Sequence, residues 1–361
     1  MAELTGLERA LKYLRMEQPD KIPIWHQSAD LSRKFVGCRW PEFVKDPKKI
    51  AQGHIEYVRR FKPDMSGIGT HMWWPVEALG LKFQVLDWIV QPAPYPARKR
   101  PNPEIYKRIE YRDPWSTESA KIMKEACHIY TEAVGGEILC RQGWYGPPGM
   151  LGMLVGVPEV MRDILIFPEV VFKTLREVMV DYTADFITGC VEAMEPNITN
   201  ICWAMSQYDW DMCPKEWWDV MAETDIACFT KVKQNIKKKT GKDVPITTHI
   251  CAPNPALDYI VEKFGHLINE IQYWGPMCPY SLEQAVKNFG DKIPIMTGID
   301  HTRTLLMGTP EEVDKMVKDA IDTARGKCSF ALGPGCDIAA DTPEANLLAL
   351  VEARGKYGTY V

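Results

Sequence analysis

The stretch Val244-Pro245-Ile246-Thr247-Thr248-His249-Ile250-Cys251 decides the fold, because it has the β-branched residues of a buried strand. Pro245 opens it and Pro253 closes it. Alternate side chains of a strand point to the same side, so His249 and Cys251 share one face. The stretch therefore predicts a short buried strand that presents a nitrogen donor and a sulfur donor together at its end.

A third donor of the same kind, Cys336, follows the turn Gly333-Pro334-Gly335 and stands 85 residues beyond Cys251. One imidazole and two thiolates suit Zn²⁺, and three such ligands leave a fourth position open. The separation excludes a local zinc finger, so only a fold that brings strand ends together could unite the three residues. The alternative is a buried strand histidine beside a structural cysteine, because free cysteine is among the most buried residue types.

The composition is that of an ordinary globular protein of 361 residues, with 46% apolar and 25% charged residues. A net charge of −5 offers no basic surface for nucleic acid or an anionic membrane, and no run of apolar residues is long enough to span a bilayer. Residues 1–16 carry charges throughout and lack the apolar centre of a secretory signal. Eleven scattered cysteines, an odd number, fit reduced thiols better than a disulfide framework. We therefore expect a cytoplasmic protein that binds neither nucleic acid nor membrane.

Strand and helix patterns alternate along the chain, with proline and glycine residues between them. Eight strands are predicted, at residues 21–27, 64–70, 137–142, 197–204, 244–250, 266–273, 293–298 and 328–332. Each is followed by a helical pattern, and eight such units favour an α/β fold of the (β/α)8 TIM-barrel type. A doubly wound parallel sheet is the alternative, but it seldom reaches eight units.

Residues 71–115 do not fit this alternation, because their prolines forbid a long helix. They are predicted to form an irregular insertion over one rim, with short β excursions at 82–90 and 104–112. Residues 143–149 are interpreted as a turn, and residues 5–14 as a helix before the first strand. No linker divides the chain. Residues 1–361 are therefore predicted to form one (β/α)8 barrel domain with an N-terminal helix and this insertion.

The barrel prediction bears on the three donors, because active sites of such barrels lie at the carboxyl ends of the strands. His249 and Cys251 end the fifth predicted strand, and Cys336 lies just beyond the eighth. The glycines before Cys336 allow the backbone to approach closely. The donors therefore converge on one rim for an independent reason, and a zinc site becomes the favoured interpretation.

Four motifs resemble those of the uroporphyrinogen decarboxylase superfamily: Thr248-His249-Ile250-Cys251, Thr297-Gly298-Ile299-Asp300, Met307-Gly308-Thr309-Pro310-Glu311-Glu312 and Leu332-Gly333-Pro334-Gly335-Cys336-Asp337. They are most similar to its zinc-dependent corrinoid methyltransferase branch, which includes methoxyaromatic O-demethylases and methylcobamide:coenzyme M methyltransferases. The resemblance covers the whole chain. It implies Zn²⁺ held by His249, Cys251 and Cys336, a corrinoid carried by a partner protein, and a homodimer as one option for the assembly.

The chain departs from the decarboxylases of this superfamily in its charges. Those enzymes have an arginine-rich stretch after the first strand, which holds a substrate with many carboxylates, whereas residues 25–30 here are Trp-His-Gln-Ser-Ala-Asp. Arg33 is nearby, and the other predicted strand ends supply only Arg141 and Arg303. Carboxylates brought into a barrel mouth need matching cations, so the sequence argues against decarboxylation.

Aromatic residues stand near five predicted strand ends and indicate a mouth walled with rings, which would suit an apolar, planar substrate. The candidate substrate-binding residues are Trp25, Tyr145, Trp203, Met205, Gln272 and Tyr273, with Trp73, Trp74 and Trp144 near them. The alternative for any single ring is that it packs a rim helix. His26 and Asp300 are the candidate catalytic residues, for orienting the substrate or moving a proton, although His26 could equally be a hydrogen-bonded barrel histidine.

The first functional hypothesis is a methyltransferase that hands the methyl group of a methoxylated aromatic compound to the cobalt of a separate corrinoid protein. The second uses zinc to lower the pKa of a thiol such as coenzyme M, which then takes the methyl group from methylcobalt. Two alternatives belong to another class. One is uroporphyrinogen-type decarboxylation, and the other is a non-catalytic barrel whose structural zinc has four protein ligands. A sulfonated thiol should need a cation near the site, whereas an aryl ether should need the rings.

Overall fold

Parallel strands form the centre of the molecule in the computed structural model, which describes residues 3–94, 100–197 and 199–360. The strands are β1 Met65–Ser66, β2 Phe83–Val85, β3 Val90–Pro92, β4 Leu139–Gln142, β5 Thr199–Ala204, β6 Ile246–His249, β7 Ile271–Gln272, β8 Ile295–Ile299 and β9 Phe330–Pro334. β1, β4, β5 and β6 pair in that order in one parallel sheet, and β7, β8 and β9 pair in another.

Isolated parallel bridges join the two sheets on both sides. On one side Ile24 bridges to Leu332 of β9, and the next residue, Trp25, bridges to Met65 of β1. On the other side Thr247 of β6 bridges to Glu270, and Ile250 bridges to Tyr273. Residues 24–25 are thus the first of eight parallel segments that follow one another around a ring. The predicted (β/α)8 barrel is confirmed, although several of its strands are shorter than predicted.

Helices surround this ring. They are α1 Gly6–Leu14, α2 Ala29–Phe35, α3 Trp40–Phe43, α4 Pro47–Phe61, α5 Glu104–Lys107, α6 Glu118–Val134, α7 Pro147–Val155, α8 Val157–Ile166, α9 Pro168–Thr174, α10 Val180–Glu192, α11 Trp218–Thr240, α12 Leu257–Phe264, α13 Leu282–Phe289, α14 Thr304–Met307, α15 Pro310–Ala324 and α16 Glu344–Tyr357. A π-helical turn at Leu175–Met179 joins α9 to α10, and three short 3₁₀ turns lie at Trp74–Leu79, Lys215–Trp217 and Gly275–Met277. None of the helices in the described ranges combines the length and apolar character needed to cross a membrane.

Two local predictions for the first half of the chain were wrong. Residues 143–149 were interpreted as a turn, but α7 begins at Pro147, since proline suits the first turn of a helix and the following residues are apolar. Residues 104–112 were predicted to be extended, but Glu104–Lys107 is helical. The other β excursion of the insertion is confirmed, because β2 and β3 pair as an antiparallel hairpin.

The amino-terminal end of the barrel is closed by a buried ionic cluster around Asp64, which directly precedes β1. Arg9 of α1 and Arg354 of α16 both donate to its carboxylate, the second at 3.1 Å. The side chain of Asp64 is 4% exposed, so water screens these ion pairs little. The cluster fixes the first and last helices to the closed end and leaves the opposite end open for a site.

Candidate metal centre

The three predicted donors meet at the carboxyl end of the barrel. His249 is the last residue of β6, Cys251 lies two residues further, and Cys336 follows the end of β9. One ligand atom from each lies within 4.8 Å of the other two, and the two sulfur atoms are 3.8 Å apart. Two thiolates on one tetrahedral zinc ion, each at about 2.3 Å, would be separated by about 3.8 Å. The donor set therefore fits Zn²⁺ without rearrangement of the sulfur atoms.

Cys336 reaches this position because the turn before it passes close to Trp274. A Cβ atom on Gly335 would lie 2.5 Å from the indole ring of Trp274, so only glycine allows this approach. The turn connects the end of β9 to the space above β6. The Gly-Pro-Gly turn thus helps to bring Cys336 close to His249 and Cys251.

Gln272 fixes the orientation of the His249 imidazole. The Nε2 atom of Gln272 donates to the carbonyl oxygen of Pro334 at 2.6 Å, which leaves its Oε1 atom facing Nδ1 of His249 at 2.6 Å. Nδ1 must then carry the proton and donate it, since Oε1 can only accept. The other ring nitrogen, Nε2, is left with a free lone pair for a metal ion.

The two thiols influence each other's ionisation. The hydrogen bond between the two thiols lowers the pKa of Cys251, and the same interaction, together with burial, raises the pKa of Cys336 to about 12. Both thiols must lose their protons when they bind a metal ion. Metal binding by these thiols would therefore release protons and weaken as the pH falls.

A cavity of about 280 Å³ opens beside His249 and Cys336 at the mouth of the barrel. Three of its walls are aromatic: Trp25, Trp144 and Tyr145. Polar side chains also line it, most of them near strand ends and one, His54, from α4; they are Gln27, His54, Thr70, Arg141, Gln142 and Asp337. We call this space the aromatic cavity, and any molecule bound in it would lie next to the donor set.

The cationic side chain of the aromatic cavity, Arg141, is already engaged inside the barrel. Its Nη2 atom lies 3.2 Å from the Glu270 carboxylate and donates to the carbonyl oxygen of Thr248 at 2.9 Å. Its guanidinium carbon stands 4.8 Å above the ring of Trp25, a cation–π contact. Arg141 therefore has little free charge to offer an anion, because its partner Glu270 is fully buried beside it.

A match between the sequence and a model of a protein family assigns the chain to a family. A model of the uroporphyrinogen decarboxylase (URO-D) family matches residues 5–357. The chain belongs to this family. The match spans both the barrel and all three donors, and it confirms the predicted resemblance.

Proteins with two different activities are similar to this chain of the URO-D family. Methylcobamide:CoM methyltransferase MtbA of Methanosarcina acetivorans is 25% identical over 378 residues and aligns with 99% of both chains. A uroporphyrinogen decarboxylase of Synechococcus sp. is 20% identical over 94% of both chains. The solved structure of a methyltransferase from Methanosarcina mazei superposes with a TM-score of 0.79 at 20% identity, covering 98% of this chain and 99% of that one, so the fold is shared. The predicted relationship to enzymes of the corrinoid methyltransferase type is confirmed.

Two of the predicted substrate-binding residues, Trp25 and Tyr145, do line the aromatic cavity together with the donors. Three others do not. Trp203 stacks on Phe229 of α11 and donates its indole proton to Asp225 at 3.3 Å. Met205 and Tyr273 are fully buried outside the cavity lining. Side chains of a strand alternate between the barrel interior and the helix layer, so proximity to a strand end does not decide which side a ring faces.

Gln272 was also predicted to bind substrate, but its amide is used on His249 and Pro334 instead. It belongs to the support of the donor set rather than to the wall of the cavity. Asp337 has no predicted role from the sequence, and it lines the cavity next to Cys336. Burial raises the pKa of Asp337 to about 8. Its position directly after a predicted ligand was the available signal.

The two predicted catalytic residues lie outside the aromatic cavity lining. His26 is buried, with Nδ1 2.9 Å from the hydroxyl of Tyr57, and burial together with Arg354 lowers its pKa to about 3. A histidine of this kind is neutral near pH 7 and matches the alternative of a hydrogen-bonded barrel histidine. Asp300 accepts hydrogen bonds from the backbone of Thr302 and Arg303, at 3.2 and 2.9 Å, and so closes its own turn.

Proposed function

We propose that this chain is a zinc-dependent methyltransferase that moves the methyl group of a methoxylated aromatic compound to the cobalt of a separate corrinoid protein. The observation that carries the proposal is the aromatic cavity itself, which borders two of the three donors and is walled by Trp25, Trp144 and Tyr145. Aromatic walls bind planar apolar rings by stacking and edge contacts. A ring held there would bring its ether oxygen beside the donor set.

His249, Cys251 and Cys336 would hold the zinc ion, which supplies Lewis acidity toward the oxygen that loses its methyl group. In the transfer the methyl–oxygen bond breaks with its electron pair remaining on oxygen, and cobalt(I) of the partner supplies the pair for the new cobalt–carbon bond. The chain contributes position and environment. Gln272 keeps the His249 imidazole in its binding orientation, and the aromatic walls hold the ring and exclude water.

The charges of the cavity disfavour the other activity of the family. Of the described residues that line it, Arg141 alone has a cationic side chain, and that side chain is paired with Glu270 at 3.2 Å. A substrate with several carboxylates would lose its hydration without gaining matching cations. This supports methyl transfer over decarboxylation.

A structural zinc site is also disfavoured. Such sites are normally closed by four protein ligands. Within the described ranges, the cluster at the barrel mouth comprises three residues of the metal-binding type. A fourth position left for substrate or solvent is the arrangement expected of a catalytic site.

The second candidate is transfer from a methylated corrinoid protein to a small thiol such as coenzyme M. The names of the relatives favour it, because methylcobamide:CoM methyltransferases align with 99% of both chains. In this direction the thiolate sulfur attacks the methyl carbon, and cobalt keeps the electron pair of the broken bond. A sulfonated thiol would compete with Glu270 for Arg141, the one cation that lines the aromatic cavity in the part of the chain described.

One experiment separates the two candidates. The purified chain, loaded with zinc, is incubated with a reduced corrinoid protein and a panel of methoxybenzoates and methoxyphenols, and methylcobalt formation is followed by absorbance. In the reverse arm, methylated corrinoid protein is offered coenzyme M. Methylcobalt formation that requires an aryl methyl ether and is lost in Cys336→Ser supports the proposal. Demethylation by coenzyme M, with no methylcobalt from any aryl ether, would contradict it and favour the second candidate.

The proposal has two further parts that the same reagents can test. The methyl acceptor is a separate corrinoid protein, so free cobalamin should react far more slowly than the protein-bound form. A homodimer remains a prediction, to be checked by light scattering on the purified chain.

A further inference from the structure

A second cavity, of about 260 Å³, borders the donor set at Cys251, which does not line the aromatic cavity. Its walls come from α7, α8, the loop that follows β5 and residues 72–73, and Cys251 is among the lining residues. Four methionines line it: Met72, Met153, Met161 and Met212. We call it the methionine cavity.

Tyr145 and Met72 line both the methionine cavity and the aromatic cavity, so these two side chains form the partition between them. Gly149 of α7 allows Tyr145 to stand there, since a Cβ atom at residue 149 would lie 2.6 Å from Cβ of Tyr145. The tyrosine is thereby held against α7. Met72 is 41% exposed and unbranched, so its end of the partition can move more easily.

The lining of the methionine cavity is apolar and uncharged. Among the described residues it contains no aspartate, glutamate, lysine or arginine. Besides Tyr145 and Cys251, its polar groups are few: the buried hydroxyl of Ser206 has no hydrogen-bond partner among the described residues, and the amide nitrogen of Gln207 donates to Asp225 at 2.9 Å. Thioether side chains adapt their shape to apolar ligands. The cavity therefore suits an uncharged hydrocarbon group with at most one hydrogen-bonding atom.

We infer that the methionine cavity binds an uncharged alkyl or alkenyl side chain carried by the ring of the methoxyaromatic substrate. This inference rests on the proposed function, because it takes the ring to lie in the aromatic cavity. A side chain on that ring passes the partition at Met72, the end that moves more easily, and enters the methionine cavity, which Cys251 also lines. The enzyme should then prefer methoxyphenols with a hydrocarbon chain to methoxybenzoates, because a carboxylate that entered this cavity would lose its hydration without gaining a cation.

The test is equilibrium binding of phenol and 4-propylphenol, measured by calorimetry. Neither ligand carries a methyl ether, so the result does not depend on turnover, on the corrinoid protein or on the direction of transfer. Moving one methylene group from water to an apolar site improves affinity by a factor of about four. We expect 4-propylphenol to bind to the wild-type chain at least about tenfold more tightly than phenol.

Two variants act on the cavity in opposite directions. Met212→Trp fills it from a half-buried loop position and should reduce the preference for 4-propylphenol to less than about threefold, with phenol binding unchanged. Met161→Ala enlarges it and should shift the preference toward 4-pentylphenol, which keeps the inference testable if the tryptophan variant does not fold. Met307→Trp is the matched control, because Met307 is 73% exposed and lines neither cavity.

Equal binding of phenol and 4-propylphenol to the wild type would overturn the inference. So would a preference for 4-propylphenol that survives in Met212→Trp and does not change in Met161→Ala. Methylcobalt formation from methoxybenzenes with no preference for a hydrocarbon side chain would refute the role inferred for the methionine cavity. It would leave the proposed function intact. A binding preference in a chain that demethylates no aryl ether would refute the proposed function and leave only the affinity of the methionine cavity for a hydrocarbon chain.

Discussion

The Oε1 atom of Gln272 lies 2.6 Å from Nδ1 of His249, while the Nε2 atom of the same side chain is bound to the carbonyl oxygen of Pro334. Gln272 belongs to β7, His249 ends β6, and Pro334 ends β9. One amide thus connects the strand that carries the imidazole donor to the strand that leads to Cys336. The relative position of two donors depends on a residue that is itself no ligand.

Replacement of Gln272 by leucine should weaken zinc binding without removing a ligand. Loss of the acceptor for Nδ1 frees the imidazole to rotate and to change tautomer, and loss of the hydrogen-bond partner of a metal-binding histidine typically reduces metal affinity about 10- to 100-fold. Competition with a chromophoric chelator measures the change. Gln52→Ala, on the exposed face of α4, is the control and should bind zinc as the wild type does. Wild-type affinity in Gln272→Leu would show that the hydrogen bond does not position His249.

Serine in place of Cys251 or Cys336 should remove the bound metal itself. A serine hydroxyl is a much poorer ligand for Zn²⁺ than a thiolate, and each variant leaves two of the three donors. Zinc content of the purified chain, measured by atomic emission, should fall from about one equivalent to almost none. Cys278→Ser serves as the control, since Cys278 is half-buried like the two ligands but lies outside the cluster. Retention of one equivalent in both variants would contradict the assignment of the donor set.

The donor set could be predicted because it follows from two regular features of the chain. The side-chain period of a strand puts His249 and Cys251 on one face, and the barrel brings the ends of β6 and β9 to the same rim. The barrel could be predicted because strand and helix patterns alternate over the whole chain. Neither depends on the detailed packing of side chains.

The cavity walls and the support of the donors were harder to predict because they depend on which way individual side chains face. β7 has two residues, too few to show a pattern of alternation, so Gln272 and Tyr273 could not be assigned to the inner or the outer side. Trp203 faces Phe229 of α11, which is a partner from a distant part of the chain. α7 was missed for a different reason, since its prolines and glycines at residues 147–152 resemble a turn.

The stability of the fold should fall as the pH falls below 6.5, in part because of His26. Burial, with a smaller effect from Arg354, lowers the pKa of His26 from 6.5 in the unfolded chain to about 3 in the folded chain. Between these values the unfolded chain takes up a proton at this histidine and the folded chain does not. The free energy of unfolding therefore decreases with falling pH, by up to about 1.4 kcal/mol per pH unit from this group.

Replacement of His26 by glutamine removes the contribution of this histidine to the pH dependence. Between pH 7 and pH 5 the wild type should lose about 2 kcal/mol more stability than His26→Gln, as measured by urea unfolding at both pH values. His128→Gln, on the exposed side of α6, should keep the wild-type dependence. Identical pH profiles for the wild type and His26→Gln would show that His26 is not held neutral by the fold.

Replacing one partner of the buried ion pair between Arg141 and Glu270 should destabilise the fold strongly. Replacing both partners by apolar residues should destabilise it much less. Both side chains are at most 1% exposed, and the closest nitrogen and oxygen atoms are 3.2 Å apart. Arg141→Met leaves the carboxylate of Glu270 buried without its cation, which should cost about 3–5 kcal/mol. The double variant Arg141→Met/Glu270→Leu removes both charges and should recover most of that loss. Urea unfolding followed by circular dichroism measures the free energy of unfolding of the wild type, the single variant and the double variant.

Lys315→Met is the control, because it breaks the exposed pair with Asp319 on α15, and it should cost less than about 1 kcal/mol. If the double variant is no more stable than Arg141→Met, the loss comes from packing around Arg141 rather than from the unpaired charge of Glu270.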